Sequence, residues 1–224
     1  MQQMIILSFF AGILTLVVAP VVVYALTVGP PPWLARLIRW LRERGRVDQN
    51  EKLLIYGSSG GTCRDPMAKA ITLELLRERA PNVNVQVEGM CLRNEAPPKA
   101  STEAIRAIDE LYPGKDLLKD HVPKPLTPAL LRRADLVLVM NKENIKTLQP
   151  RRNERNNIQL FNKFLLDEDA DVEDPWRVGA PINPETLARY EAKAKEIQGA
   201  LMAGFDRILK VLGAGPACSK PTAP

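Results

Sequence analysis

Residues 56–68 read YGSSGGTCRDPMA. The stretch follows a short apolar run, KLLIY (52–56), and leads into a helical pattern over 66–79. It therefore joins the end of a strand to the start of a helix through a glycine-rich loop. Gly60 and Gly61 permit left-handed backbone, so the N–H groups of Ser58, Ser59, Gly60, Gly61, Thr62, Cys63 and Arg64 can converge as an anion nest. The helix that follows adds the positive end of its dipole, and Arg64 supplies a two-pronged donor for phosphate oxygens. A simpler reading also fits: a glycine turn with Asp65 as helix cap and Pro66 as first helical residue. Spacing alone leaves both open.

Working outward from the loop, further apolar runs lie at VNVQVEG (83–89), ADLVLVM (134–140) and NIQLF (157–161). The third is the most continuous, as a central parallel strand requires. Helical patterns fill the intervals at 101–112, 127–133 and 142–148, and a long one occupies about 184–212. In that last segment Asn183 is a suitable cap and Pro184 a suitable first residue. Leu187, Tyr190, Ala194, Ile197, Leu201, Phe205, Ile208 and Leu212 mark its core face. Strands alternating with helices predict an α/β domain over 51–212: a four-stranded parallel sheet with helices on both faces. Ligands in such folds bind beyond the carboxyl ends of the strands, where the glycine loop sits. Residues 213–224 read as a flexible tail.

Charge narrows the function classes. The net charge is +5, and residues 33–46 alone carry five arginines and one glutamate, leaving +1 for the rest. A nearly neutral domain lacks the basic face of a nucleic-acid binder. The three cysteines, Cys63, Cys91 and Cys218, have neither a disulfide-framework nor a zinc spacing, so no metal or other cofactor is expected. The one histidine, His121, lies in KDHVPKP and is assigned no role.

The excess charge adjoins an uncharged apolar run, residues 5–28, IILSFFAGILTLVVAPVVVYALTV. Its 24 residues exceed the roughly 20 that span a bilayer. It is too long, and lacks the basic flank, for a cleaved signal peptide. Residues 1–29 are thus expected to be a single transmembrane helix. Arg36, Arg39, Arg42, Arg44 and Arg46 follow it and nothing basic precedes it, which places the C-terminal domain in the cytoplasm. Within 30–50, a three-proline stop is followed by Trp33, Leu34, Leu37, Ile38 and Leu41 at helical spacing. That segment suits either a helix lying in the headgroup layer or one packed on the domain or a partner.

SSGGTCRDPMA resembles the signature loop of the low-molecular-weight protein tyrosine phosphatases, C-x5-R-[ST]-P. GMCLRNEAPPKASTEAIRAI resembles the family segment that forms a wall of the cleft and leads into a helix, and LTPALLRRADLVLVMNKENIKTL and DPWRVG (174–179) resemble further family segments in the same order, over about 52–212. The resemblance implies a cysteine thiolate nucleophile, an arginine on the phosphate oxygens, and an aspartate that protonates the leaving group. On this chain those positions are Ser58, Arg64 and Asp174, with Trp176 on the wall of the cleft. Cys63 matches a second loop cysteine and is read as structural.

Three positions depart from the pattern. Ser58 replaces the nucleophile; a hydroxyl is far less acidic than a thiol and needs a base. Gly61 replaces an asparagine. Asp65 replaces a serine or threonine; facing the loop it would repel a dianion, and capping the helix it would not. The expected function is a membrane-anchored cytoplasmic pseudophosphatase, a binding or assembly module and accessory subunit of a membrane complex. The alternative is an active phosphatase for aryl phosphates or phosphotyrosine. An arsenate-reductase-like relative is the weakest reading, since that chemistry also needs the loop thiol.

Overall fold

The computed structural model describes residues 51–93, 96–149, 158–177 and 181–213. The apolar run at 5–28, the arginine-rich segment after it and the tail at 214–224 lie outside the described residues. Among the described residues no helix is long and apolar enough to cross a membrane.

The chain from Lys52 forms β1 (Lys52–Ser58), α1 (Arg64–Arg79), β2 (Val85–Cys91), α2 (Thr102–Leu111), β3 (Lys124–Pro125), α3 (Pro128–Arg133), β4 (Leu136–Val139), α4 (Lys142–Leu148), β5 (Ile158–Leu160), α5 (Phe161–Leu166) and α6 (Pro184–Val211). All strand pairs are parallel, in the order β3-β2-β1-β4-β5. The order reverses at β1, between β2 on one side and β4 on the other, which is where an open α/β sheet leaves a crevice.

Alternation along β1 and β4 builds two cores. Leu54, Tyr56, Leu136 and Leu138 join Ile71 and Leu75 of α1 and Ile197, Leu201 and Phe205 of α6. Leu53, Ile55, Val137 and Val139 join Leu131 of α3 and Leu148 of α4. Helices therefore cover both faces, as the pattern predicted.

Three expectations change. The sheet has five strands rather than four. The extra one, Lys124–Pro125, is exposed and pairs only with Met90 and Cys91 at the edge, where a proline without N–H is tolerated. Phe161, read as the end of a strand, instead begins the short helix α5. And α1 begins at Arg64, with Cys63 at its cap position and no side-chain cap bond, so Asp65 is not the cap.

Within the long helix, Gly204 packs closely on α5. A Cβ added to Gly204 would stand 2.5 Å from Leu165 Cδ2 and 2.8 Å from Leu165 Cα. Alanine gains about 1 kcal/mol of helix propensity over glycine, but overpacking against backbone costs about 1–3 kcal/mol. Gly204→Ala is therefore expected to lower the unfolding midpoint in urea; an unchanged or higher midpoint would contradict this packing.

Candidate active site

The loop from Ser58 to Arg64 lies between the end of β1 and the start of α1. Gly61 takes φ +70°, the left-handed region, and Cys91 crowds it: a Cβ at Gly61 would fall 2.8 Å from Cys91 Cβ. The asparagine of the resembled pattern would not fit beside this cysteine. Gly60, by contrast, does not take positive φ, and a Cβ there would meet only Thr62 Oγ1 at 3.6 Å. One left-handed residue, not two, makes the turn.

Neighbouring elements hold the loop. Leu92 N–H donates to the Ser58 carbonyl at 3.0 Å and Ser101 N–H to the Thr62 carbonyl at 3.0 Å. Cys91 Sγ donates to the Ser59 carbonyl at 3.2 Å. Asn144, buried on α4, donates from Nδ2 to Ser59 Oγ at 3.0 Å. Cys63 Sγ lies 3.5 Å from Ser101 Oγ and from Tyr190 Oη and 3.4 Å from Thr62 Oγ1. Burial pushes the Cys63 thiol up from its ordinary range, which keeps it a thiol and agrees with a structural role.

Ser58 is 3% exposed at the floor of the loop. Its Oγ accepts from Gly61 N–H at 3.3 Å and donates to Asp65 Oδ1 in a short hydrogen bond. Asp65 is fully buried, with Oδ2 lacking a hydrogen-bond partner. Room for it comes from β2: a Cβ on Gly89 would lie 3.3 Å from Asp65 Oδ2. Burial raises the Asp65 carboxyl to about 7, against the opposing effects of the Ser58 hydrogen bond and the Arg64 charge. The open question about Asp65 is thus answered: its carboxylate faces the nucleophile position.

Arg64 is 3% exposed. Its Nη1 donates to the Val172 carbonyl at 2.8 Å and its Nη2 to Asp174 Oδ2 at 2.6 Å. Its Nε–H has no protein partner and remains available to an oxygen. Asp174 Oδ1 accepts the Trp176 N–H at 3.1 Å, closing an Asp-Pro-Trp turn. Ser58, Arg64, Asp174 and Trp176 are brought together, with Ser59, Gly60, Thr62 and Cys63, around one cleft of about 280 Å³. Asp65 and Gly61 stand behind it.

The segment after β2 lines the cleft, as its resemblance implies, although the individual residues, Arg93 and Pro97, were not named from the sequence. Arg93 brings a second cation to the mouth. His121 is half-buried; burial first, and then the Lys69 charge, hold its pKa below the ordinary value against the opposing Gly61 backbone hydrogen bond. His121 has no local sequence signal, since it reaches the loop only through the fold.

The class defined by this fold and site is the α/β phosphatases built around a C-x5-R loop, here with serine in the first place. The family model for "Low molecular weight phosphotyrosine protein phosphatase" matches residues 54–207, and the chain belongs to that family. It is 28% identical to a protein-arginine-phosphatase of Bacillus subtilis over 145 residues, 64% of this chain and 93% of that one. It is 30% identical to EpsP of Ralstonia nicotianae, a probable low molecular weight protein-tyrosine-phosphatase, over 159 residues, 70% of this chain and 96% of that one. Among solved structures it is similar to a cysteine-to-serine mutant of the YwlE arginine phosphatase with a phosphorylated active-site serine. The TM-score is 0.57 at 27% identity, covering 70% of this chain and 95% of that one.

Proposed function

We propose that the domain is a pseudophosphatase lacking the nucleophilic thiol: a binding module for phosphorylated protein side chains, tethered to a membrane by residues 5–28 and facing the cytoplasm. The observation that carries the reading is a serine hydroxyl, tied to a buried carboxylate, standing where the family's nucleophile belongs. The grip on an oxyanion is kept by Arg64, the loop amides and Arg93. The thiol that would make attack fast at neutral pH is gone. Relatives named for phosphotyrosine and phosphoarginine support a phosphoryl group on a protein side chain as the ligand. The apolar run and the five arginines after it support the tether and its orientation, and with a binding domain on the tether we read the chain as an accessory subunit of a membrane complex.

The test is binding of inorganic phosphate and vanadate to the full-length chain by calorimetry. Wild type is expected to bind and Arg64→Ala to weaken binding by about 10²-fold or more, the loss of a charge-assisted bidentate contact. Wild-type binding that is absent, or insensitive to Arg64→Ala, would refute the reading.

A further inference from the structure

We propose that Ser58 and Asp65 form a nucleophile–base couple, so that the cleft accepts one phosphoryl group as an ester on Ser58. The inference rests on the cleft binding phosphate monoesters and adds a covalent step. Three features of the geometry carry it. The Ser58 hydroxyl donates to Asp65 Oδ1, the arrangement a hydroxyl needs to lose its proton as it attacks. The second oxygen of Asp65 is buried without a hydrogen-bond partner, and burial outweighs the Ser58 hydrogen bond and the Arg64 charge in setting the basicity of the carboxyl. And Gly89 on β2 lets the start of α1 lie close to the strand, with a Cβ there 3.2 Å from the Asp65 backbone and 3.3 Å from its Oδ2, so the buried carboxyl sits beside the strand without displacing the loop. Groups charged or titratable around Asp65 are Arg64, Asp174 and Cys91. A carboxyl held near 7 by burial is a stronger base than an ordinary aspartate and is still partly ionised at neutral pH.

The step balances with an aryl phosphate dianion. Ser58 Oγ forms a bond to phosphorus, the bond from phosphorus to the aryl oxygen breaks, the hydroxyl proton passes to Asp65, and the aryl oxide departs with its electron pair. Arg64 and the loop N–H groups bear the charge on the three non-bridging oxygens. The product is a serine phosphate ester above a neutral Asp65. A serine oxygen is a much poorer leaving group than a thiolate, so the ester outlasts its formation and the protein is charged once.

The experiment exposes the full-length chain to p-nitrophenyl phosphate, follows nitrophenolate release, and maps the phosphorylated residue by mass spectrometry. The expected result is a burst near one equivalent, with phosphate on Ser58 and none in Ser58→Ala. Asp65→Asn and Asp65→Ser are each expected to slow the burst by about 10²–10⁴-fold while binding inorganic phosphate at least as tightly, since a negative charge is removed. An adduct that forms as fast in both Asp65 variants overturns the couple. So does the absence of any adduct in a wild type that binds phosphate, and the binding reading then survives. Absence of both adduct and phosphate binding overturns the two together.

Discussion

Ser58→Cys combined with Asp65→Ser is expected to hydrolyse p-nitrophenyl phosphate with repeated turnover, and Ser58→Cys alone to be slower by about 10²–10³-fold. The difference lies in where the proton goes. A thiol at residue 58 would take over the contact that Ser58 Oγ makes with Asp65 Oδ1. Two anions about 4 Å apart repel by about 4 kcal/mol at an effective dielectric of about 20, so the pair keeps one shared proton near neutral pH and the thiolate is scarce. A serine at 65 removes the repulsion and supplies a hydroxyl donor. Steady-state kinetics of the two variants beside wild type decide the matter. Equal rates would mean that Asp65 does not control the nucleophile position, and a silent double variant would mean that the cleft itself is not competent.

Asp65→Asn is expected to stabilise the domain near pH 8 by about 2–4 kcal/mol and near pH 4 by less than about 1 kcal/mol. The sign follows from linkage. The folded Asp65 carboxyl, at about 7, lies above its unfolded value of about 3.9. The folded state therefore holds the proton more tightly, and stability falls as pH rises from the unfolded value through the folded one. Asparagine carries no charge to bury and escapes that loss. Urea unfolding of both proteins across this range reads it directly, and a difference that does not grow with pH would mean the carboxyl is not the destabilising group. A protein whose buried acid weakens the fold at neutral pH, at the floor of its cleft, shows the usual conflict between stability and a functional arrangement.

Much of this was legible in the chain. The central strands could be placed because burial on both faces demands continuous apolar runs, as in the stretch that contains Leu136–Val139. The long helix was marked by a cap, a proline and a core stripe, all local signals. The loop could be recognised, and its departures named, because motif and spacing are themselves local. The edge strand was not legible, since two exposed residues, Lys124 and Pro125, bury nothing and leave no pattern. Helix α5 was hidden because Phe161 continues the apolar run of β5 without a break. The direction of Asp65 could not be read because capping and facing inward need the same residue at the same spacing; only the folded loop, with Ser58 on its carboxyl, decides it. Asn144 reaches Ser59 across 85 positions of chain, beyond any local signal.

The ion pair between Arg64 and Asp174, 2.6 Å long and buried on the arginine side, has a bearing on selectivity. The cleft comes with its own competitor. A tethered carboxylate is present at high effective concentration, so a dissolved anion gains only the difference between its own contacts and those it displaces. A small monoanionic metabolite offers little that Asp174 does not already offer. A dianion with three oxygens can satisfy Arg64, its unpartnered Nε–H and the loop amides at once. On the proposed binding function, the chain is expected to screen out the abundant carboxylates of its surroundings without contacting any of them specifically.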